Sequence, residues 1–174
     1  MKRTTAVIIA TALTGFGAVS FAQSVVMSDA FGPAKTTVTL EDTRLDADQL
    51  FNRVDTDRDG VISVDEYAAQ TVVRANLARF NQAVVIDGEQ TFHVKVAPEA
   101  TSALSPSQQT AIDAVARTEF YRLSGEDVSM DKGEWIQSRL SHFAAADRNH
   151  DGLLRNNELD LYAMRIAQHQ ISLS

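Results

Sequence analysis

The feature that most constrains this chain is a twelve-residue pattern that occurs twice. Residues 55–66 carry Asp55, Asp57 and Asp59 at the first, third and fifth positions, Gly60 at the sixth and Glu66 at the twelfth. Residues 147–158 repeat it with Asp147, Asn149, Asp151, Gly152 and Glu158. In a tightly curled loop, alternate side chains point their oxygens at one centre, and glycine permits the sharp turn where a side chain is expected to clash. The carbonyls of Val61 and Leu153, at the seventh position, add one oxygen each. Glu66 and Glu158 reach back from the next helix with their carboxylates. Such a cage suits a hard cation that takes roughly six to eight oxygens, and Ca²⁺ is the default occupant.

The flanks of both segments predict helices. Phe51 and Phe143 each stand four residues before the first aspartate, and Tyr67 and Leu159 each follow the glutamate. Asp46 and Gln49 form a capping box stapled by Leu45 and Leu50, which predicts a helix from Asp46 to about Val54. Ser63 and Glu66 open a second helix, running to about Phe80. Asp131 and Glu134 open another, stapled by Met130 and Trp135 and running to about Ala146. A last helix starts near Asn156 and carries Leu159, Tyr162 and Ile166.

With the motif D-x-[DN]-x-[DN]-G-x₅-E complete twice between helices, the chain resembles the EF-hand family over about 45–80 and 131–170. Dockerin-like modules fit less well, because here Phe51 and Phe143 stand in full entering helices and both loops end in glutamate. Lanthanide-binding relatives favour proline at loop position two, where this chain has Thr56 and Arg148. The resemblance implies two Ca²⁺ per chain. The ligands would be Asp55, Asp57, Asp59, Val61 and Glu66 in loop one, and Asp147, Asn149, Asp151, Leu153 and Glu158 in loop two. It also implies that loops pair through the apolar residue at position eight. Direct pairing of Ile62 with Leu154 is the favoured expectation. A second candidate neighbour is the segment 124–132, a decayed loop three residues short, with Val128 at the pairing position and Lys132 where glutamate should stand. No metal is expected there.

The two loops are not equivalent. Loop one offers four acidic side chains and loop two three, because Asn149 replaces an aspartate. Arg155 stands at position nine of loop two, where Ser63 stands in loop one. Fewer anionic ligands and a nearby positive charge weaken cation binding, so loop one should bind more tightly.

Lys2 and Arg3, the uncharged apolar run Ala6–Val19 and the small residues of Ser20-Phe21-Ala22 read as a secretory signal cleaved before Gln23. Export to a periplasm or beyond follows, with no membrane insertion after cleavage. Residues 23–44 lack periodicity and read as a loose lead-in to an EF-hand domain over 45–174. Within the intervening 81–130, Val84–Ile86 and Thr91–Val96 flank Asp87-Gly88, a favoured hairpin turn. Ser105-Pro106-Ser107-Gln108 then opens an extra helix. The fold class is therefore mainly α, an EF-hand helix–loop–helix pair with an inserted β-hairpin and an extra helix.

The net charge of -7 argues against nucleic acid as a partner and favours cations. The absence of cysteine removes disulfides, thiolate zinc sites and thiol catalysis. His93, His142, His150 and His169 show no metal-ligand spacing, and His150 at loop position four should face solvent. No G-x-S-x-G, P-loop or H-E-x-x-H motif occurs. Calcium ion binding in an exported soluble protein is the reading, as buffer, sensor or calcium-stabilised interaction module with an unidentified protein partner left open. The alternative is a periplasmic enzyme or attachment module whose EF-hands are only structural.

Overall fold

The computed structural model describes residues 31–96, 103–125 and 127–167, so the leader and residues 23–30 of the lead-in lie outside them. Five helices and three two-stranded antiparallel pairings make up the described chain. In order they are β1 (Thr37–Thr39), α1 (Leu40–Val54), β2 (Ile62–Ser63), α2 (Val64–Asn81), β3 (Ala83–Asp87) and β4 (Thr91–Lys95). After these come α3 (Pro106–Ser124), β5 (Ser129–Met130), α4 (Lys132–Ala146), β6 (Leu153–Arg155) and α5 (Asn157–Ile166). The class is as the sequence predicts: mainly α, with a hairpin and an extra helix. No described helix is long and apolar enough to cross a membrane.

The capping boxes at Ser63 and Asp131 form as expected, and Ser105 with Gln108 forms a further one at the expected start of α3, each with the third helical side chain returning to the cap. The first helix departs from expectation. It begins at Leu40, capped by Thr39 and Asp42, so residues 37–44 are strand and helix rather than loose lead-in. Asp46 lies buried within α1 instead of capping it. Its carboxylate accepts from Arg74 Nη2 at 3.0 Å and from the Asp87 amide at 3.0 Å. A second box upstream, closed on an aspartate rather than Glu or Gln, therefore outcompetes the one at Asp46. The hairpin also differs in detail. Asp87 pairs with Thr91, so its loop is Gly88–Gln90 and not the two-residue turn that Asp-Gly suggests.

The largest correction concerns pairing. Ile62 does not meet Leu154. Val38 pairs with Leu154 and Ile62 pairs with Met130, in two separate ladders. The chain runs β-helix-loop-β-helix twice, and the first strand of each unit pairs with the second strand of the other. The short loop before α4 does neighbour loop one, but through Met130. Val128, the expected pairing residue, is 76% exposed.

This crossing creates two cores. Beneath loop one, Ala47, Phe51, Ile62, Tyr67, Phe120, Met130 and Trp135 pack together, and Trp135 Nε1 donates to the Ala47 carbonyl at 2.9 Å. Beneath loop two, Val38, Phe143, Leu154, Leu159 and Tyr162 pack with Val84, Ile86, Phe92 and Val94 of the hairpin. The intervening segment thus serves both halves, α3 completing one core and β3–β4 the other. Trp135 and four of the six described phenylalanines, Phe51, Phe92, Phe120 and Phe143, are core. Phe80 is not: it is 83% exposed at the rim of an apolar cleft between α1, α2 and β3.

Candidate metal centres

Each loop is shaped by its own amides. In loop one the Asp55 carboxylate accepts from Asp59 N at 3.1 Å and from Gly60 N at 3.1 Å. Asp57 Oδ1 accepts from Asp59 N at 3.2 Å, and Asp59 Oδ1 from Val61 N at 3.0 Å. Loop two repeats these bonds residue for residue. Asp147 accepts from Asp151 N and Gly152 N, Asn149 Oδ1 from Asp151 N, and Asp151 Oδ1 from Leu153 N. The acidic side chains therefore fold inward because successive amides point at them, not because they attract one another.

The glycines have a different reason from the one expected. Gly60 has φ +89° and Gly152 φ +74°, yet a Cβ at either would meet nothing within 4 Å. Backbone conformation, rather than a clash with neighbours, makes glycine the fitting residue. Arg58 and His150, at position four, also adopt positive φ, and His150 is solvent-exposed as anticipated.

The donor set fits a hard cation. Oxygens of Asp55, Asp57 and Asp59 all lie within 4.8 Å of one another, a spread that one ion can span at roughly 2.3–2.6 Å from each. Residues 47–72, which contain this loop and parts of α1 and α2, match the family model described as EF hand. Loop one and its flanks are similar to an EF-hand. The EF-hand is a calcium-binding family, and the acidic cluster lies within the matched segment. Loop two lies outside that match. No curated protein and no solved structure matches the chain.

Loop one is the more completely built of the two loops. Glu66 uses both carboxylate oxygens: Oε1 accepts from Thr56 N at 2.7 Å and from its hydroxyl at 2.9 Å. Oε2 accepts from Ser63 N and Ser63 Oγ, both at 2.9 Å. Burial pushes this carboxyl up, but the Ser63 and Thr56 amides and hydroxyls outweigh it and hold it at about 2. Glu66 is thus an anion across the physiological range.

Loop two lacks this arrangement. Its strand starts one residue earlier, at Leu153, and ends like the first at position nine, where Arg155 faces Thr37 across the ladder. Asn156 caps α5 with φ +50° and without a side-chain hydrogen bond. Glu158 is held through Oε1 alone, by Arg148 N at 3.0 Å and Asn149 N at 3.2 Å. Arg155 Nη2 donates to Asp151 Oδ2 at 2.7 Å, so a guanidinium occupies one oxygen of a candidate ligand. Burial raises the Asp151 carboxyl, while the Leu153 amide and Arg155 outweigh it and lower it overall.

The ten candidate ligands lie in the two loops, and the structure brings the carboxylate oxygens of Asp55, Asp57 and Asp59 together. The sequence reading missed the elements that hold the loops: β1, the Thr39–Asp42 cap and Met130. One signal was present. Thr39 and Asp42 stand before Phe51, Asp55 and Glu66 at the same separations as Asp131 and Glu134 before Phe143, Asp147 and Glu158. The repeat thus begins well upstream of the loop motif.

Proposed function

We propose that this is an exported calcium-binding protein with two sites, in which each ion stabilises a crossed pair of half-units. Asp55, Asp57, Asp59, the Val61 carbonyl and Glu66 hold the first ion. Asp147, Asn149, Asp151, the Leu153 carbonyl and Glu158 hold the second, more weakly. The observation that carries this reading is the shared amide network, which aims the side-chain oxygens of both loops inward. Oxygens already oriented need little ordering on binding, which favours affinity.

The crossed strands favour a calcium-stabilised module over a buffer or sensor. Each loop strand is paired to the opposite unit, so an ion that fixes a loop also fixes the contact between units. Export follows from the leader, and the acidic charge agrees with a cation partner. Calorimetry on protein beginning at Gln23 should give two calcium sites of unequal affinity and none at residues 124–132. One site, or a third, would refute the count. Mass spectrometry of the exported protein should find Gln23 at its start, and Met1 retained would refute cleavage.

A further inference from the structure

A polar cavity of about 30 Å³ lies among α2, α3, α4 and α5, apart from both loops. Gln70, Arg74, Glu119, Arg139, Tyr162 and Arg165 stand around it. Its size suits a water or a small ion. Two buried atoms here, Gln70 Oε1 and Arg74 Nη1, have no hydrogen-bond partner in the protein.

The charges around it do not balance. Arg74 pairs with Asp46 at 3.0 Å, and Arg165 pairs with Glu119 at 3.1 Å. Arg122 approaches Glu119 from the solvent side at 3.6 Å. Arg139 is only 6% exposed and lies over the Trp135 ring at 5.4 Å, with no carboxylate in ion-pair contact among the described residues. His142 donates Nε2–H to Glu119 at 3.1 Å, because a carboxylate can only accept, and needs no charge to do so. Three guanidiniums line the cavity with one carboxylate, Glu119, and even with Asp46 pairing Arg74 from outside it one positive charge is left over. An uncompensated buried charge is costly, and a monovalent anion would cancel this one.

We propose that the cavity binds a small monovalent anion of the halide class, held by Arg139, Arg74 Nη1 and the side-chain amide of Gln70. A half-turn of that amide presents its NH₂ to the cavity in place of Oε1. The rival occupant is water, which can satisfy Oε1 and Nη1 as they stand but leaves the charge excess in place. Tyr67, next to Glu66, also lines the cavity, as does Tyr162 on the helix that follows loop two. A bound anion therefore braces the exiting helices of both loops.

The test is a set of thermal melts on the mature protein in saturating calcium. Sodium chloride, sodium bromide and sodium methanesulfonate are compared at one ionic strength, the last anion being too large for the cavity. The melting temperature should rise saturably by a few degrees in chloride and bromide only. The chloride NMR line should broaden with protein and sharpen again when bromide is added. Arg139→Met should remove both effects. Should that variant not fold, Gln70→Glu gives the second reading, because its carboxylate supplies the missing charge. It should melt higher than the parent in methanesulfonate and show no halide dependence. Equal melts in all three salts without line broadening would overturn the proposal in favour of water. Broadening that survives Gln70→Glu would overturn it too, by placing the halide elsewhere.

Discussion

Loop one and loop two share nearly every backbone hydrogen bond and differ at position nine. Ser63 in loop one caps the following helix and donates twice to Glu66, fixing the last carboxylate of the cage. Arg155 in loop two supplies no cap, so the helix starts one residue later, behind Asn156 and without a side-chain cap, and the guanidinium turns onto Asp151. One residue thus sets three things: where the helix begins, how firmly the twelfth-position glutamate is held, and whether the fifth-position carboxylate is free. A twelve-residue motif can be complete in its ligands and still be unequal in how those ligands are supported.

The two cores beneath the loops offer the strongest way to break this comparison. Trp135 is wholly buried under loop one, so Trp135→Ala should cost about 3–5 kcal/mol of stability, read by thermal or denaturant unfolding. Met130→Ala should cost about 2–5 kcal/mol and weaken calcium binding at loop one while sparing loop two. Val38→Ala, facing Leu154, should cost less and do the reverse. If Ile62 and Leu154 paired directly, neither change would discriminate between the loops.

Acid should act next, through the cluster between the cores. Burial pushes the His142 imidazole below its ordinary range despite the opposing hydrogen bond to Glu119. The Glu119 carboxyl is raised by burial but held at about 2 by His142 and Arg165. Both groups bind protons more readily unfolded than folded, so each contributes stability above its unfolded pKa and loses it as pH falls. Melts in chelator should therefore show stability falling from about pH 6.5 downward for His142 and from about 4.5 for Glu119. His142→Gln should flatten the upper part of that profile.

The smallest effect concerns Arg155. Exposed ion pairs are worth about 0.2–1 kcal/mol, so freeing Asp151 by Arg155→Ser should tighten loop two by at most several-fold. Ser63→Ala should loosen loop one, because Glu66 loses a hydroxyl donor and α2 loses its cap. Calcium titrations of the two variants should bring the two affinities closer from opposite directions.

The sequence shows the loops and most helices plainly because ligand spacing, capping boxes and apolar periodicity are local. Ser63–Glu66 and Asp131–Glu134 cap their helices through residues three apart, and such signals do not depend on the rest of the fold. Strand pairing is not local. Val38 meets Leu154 and Ile62 meets Met130 across long stretches of chain, and two- or three-residue strands carry no periodicity from which to read a register. Asp46 misleads for a similar reason. An aspartate three residues before Gln49 is a fair cap by pattern, but the hairpin amide of Asp87 and the guanidinium of Arg74 satisfy it inside a helix. Phe80, expected only as the approximate end of its helix, lies at the surface because the helix ends there, beside the cleft.

The most direct test follows the amides of Gly60 and Gly152 by NMR during a calcium titration. Each donates to the first aspartate of its loop, so its resonance reports that loop alone. Both resonances should move, Gly60 at lower calcium than Gly152, and both should saturate by two ions per chain. Movement of Gly152 first would contradict the role given to Ser63 and Arg155, and two unmoved resonances would contradict calcium binding at the loops.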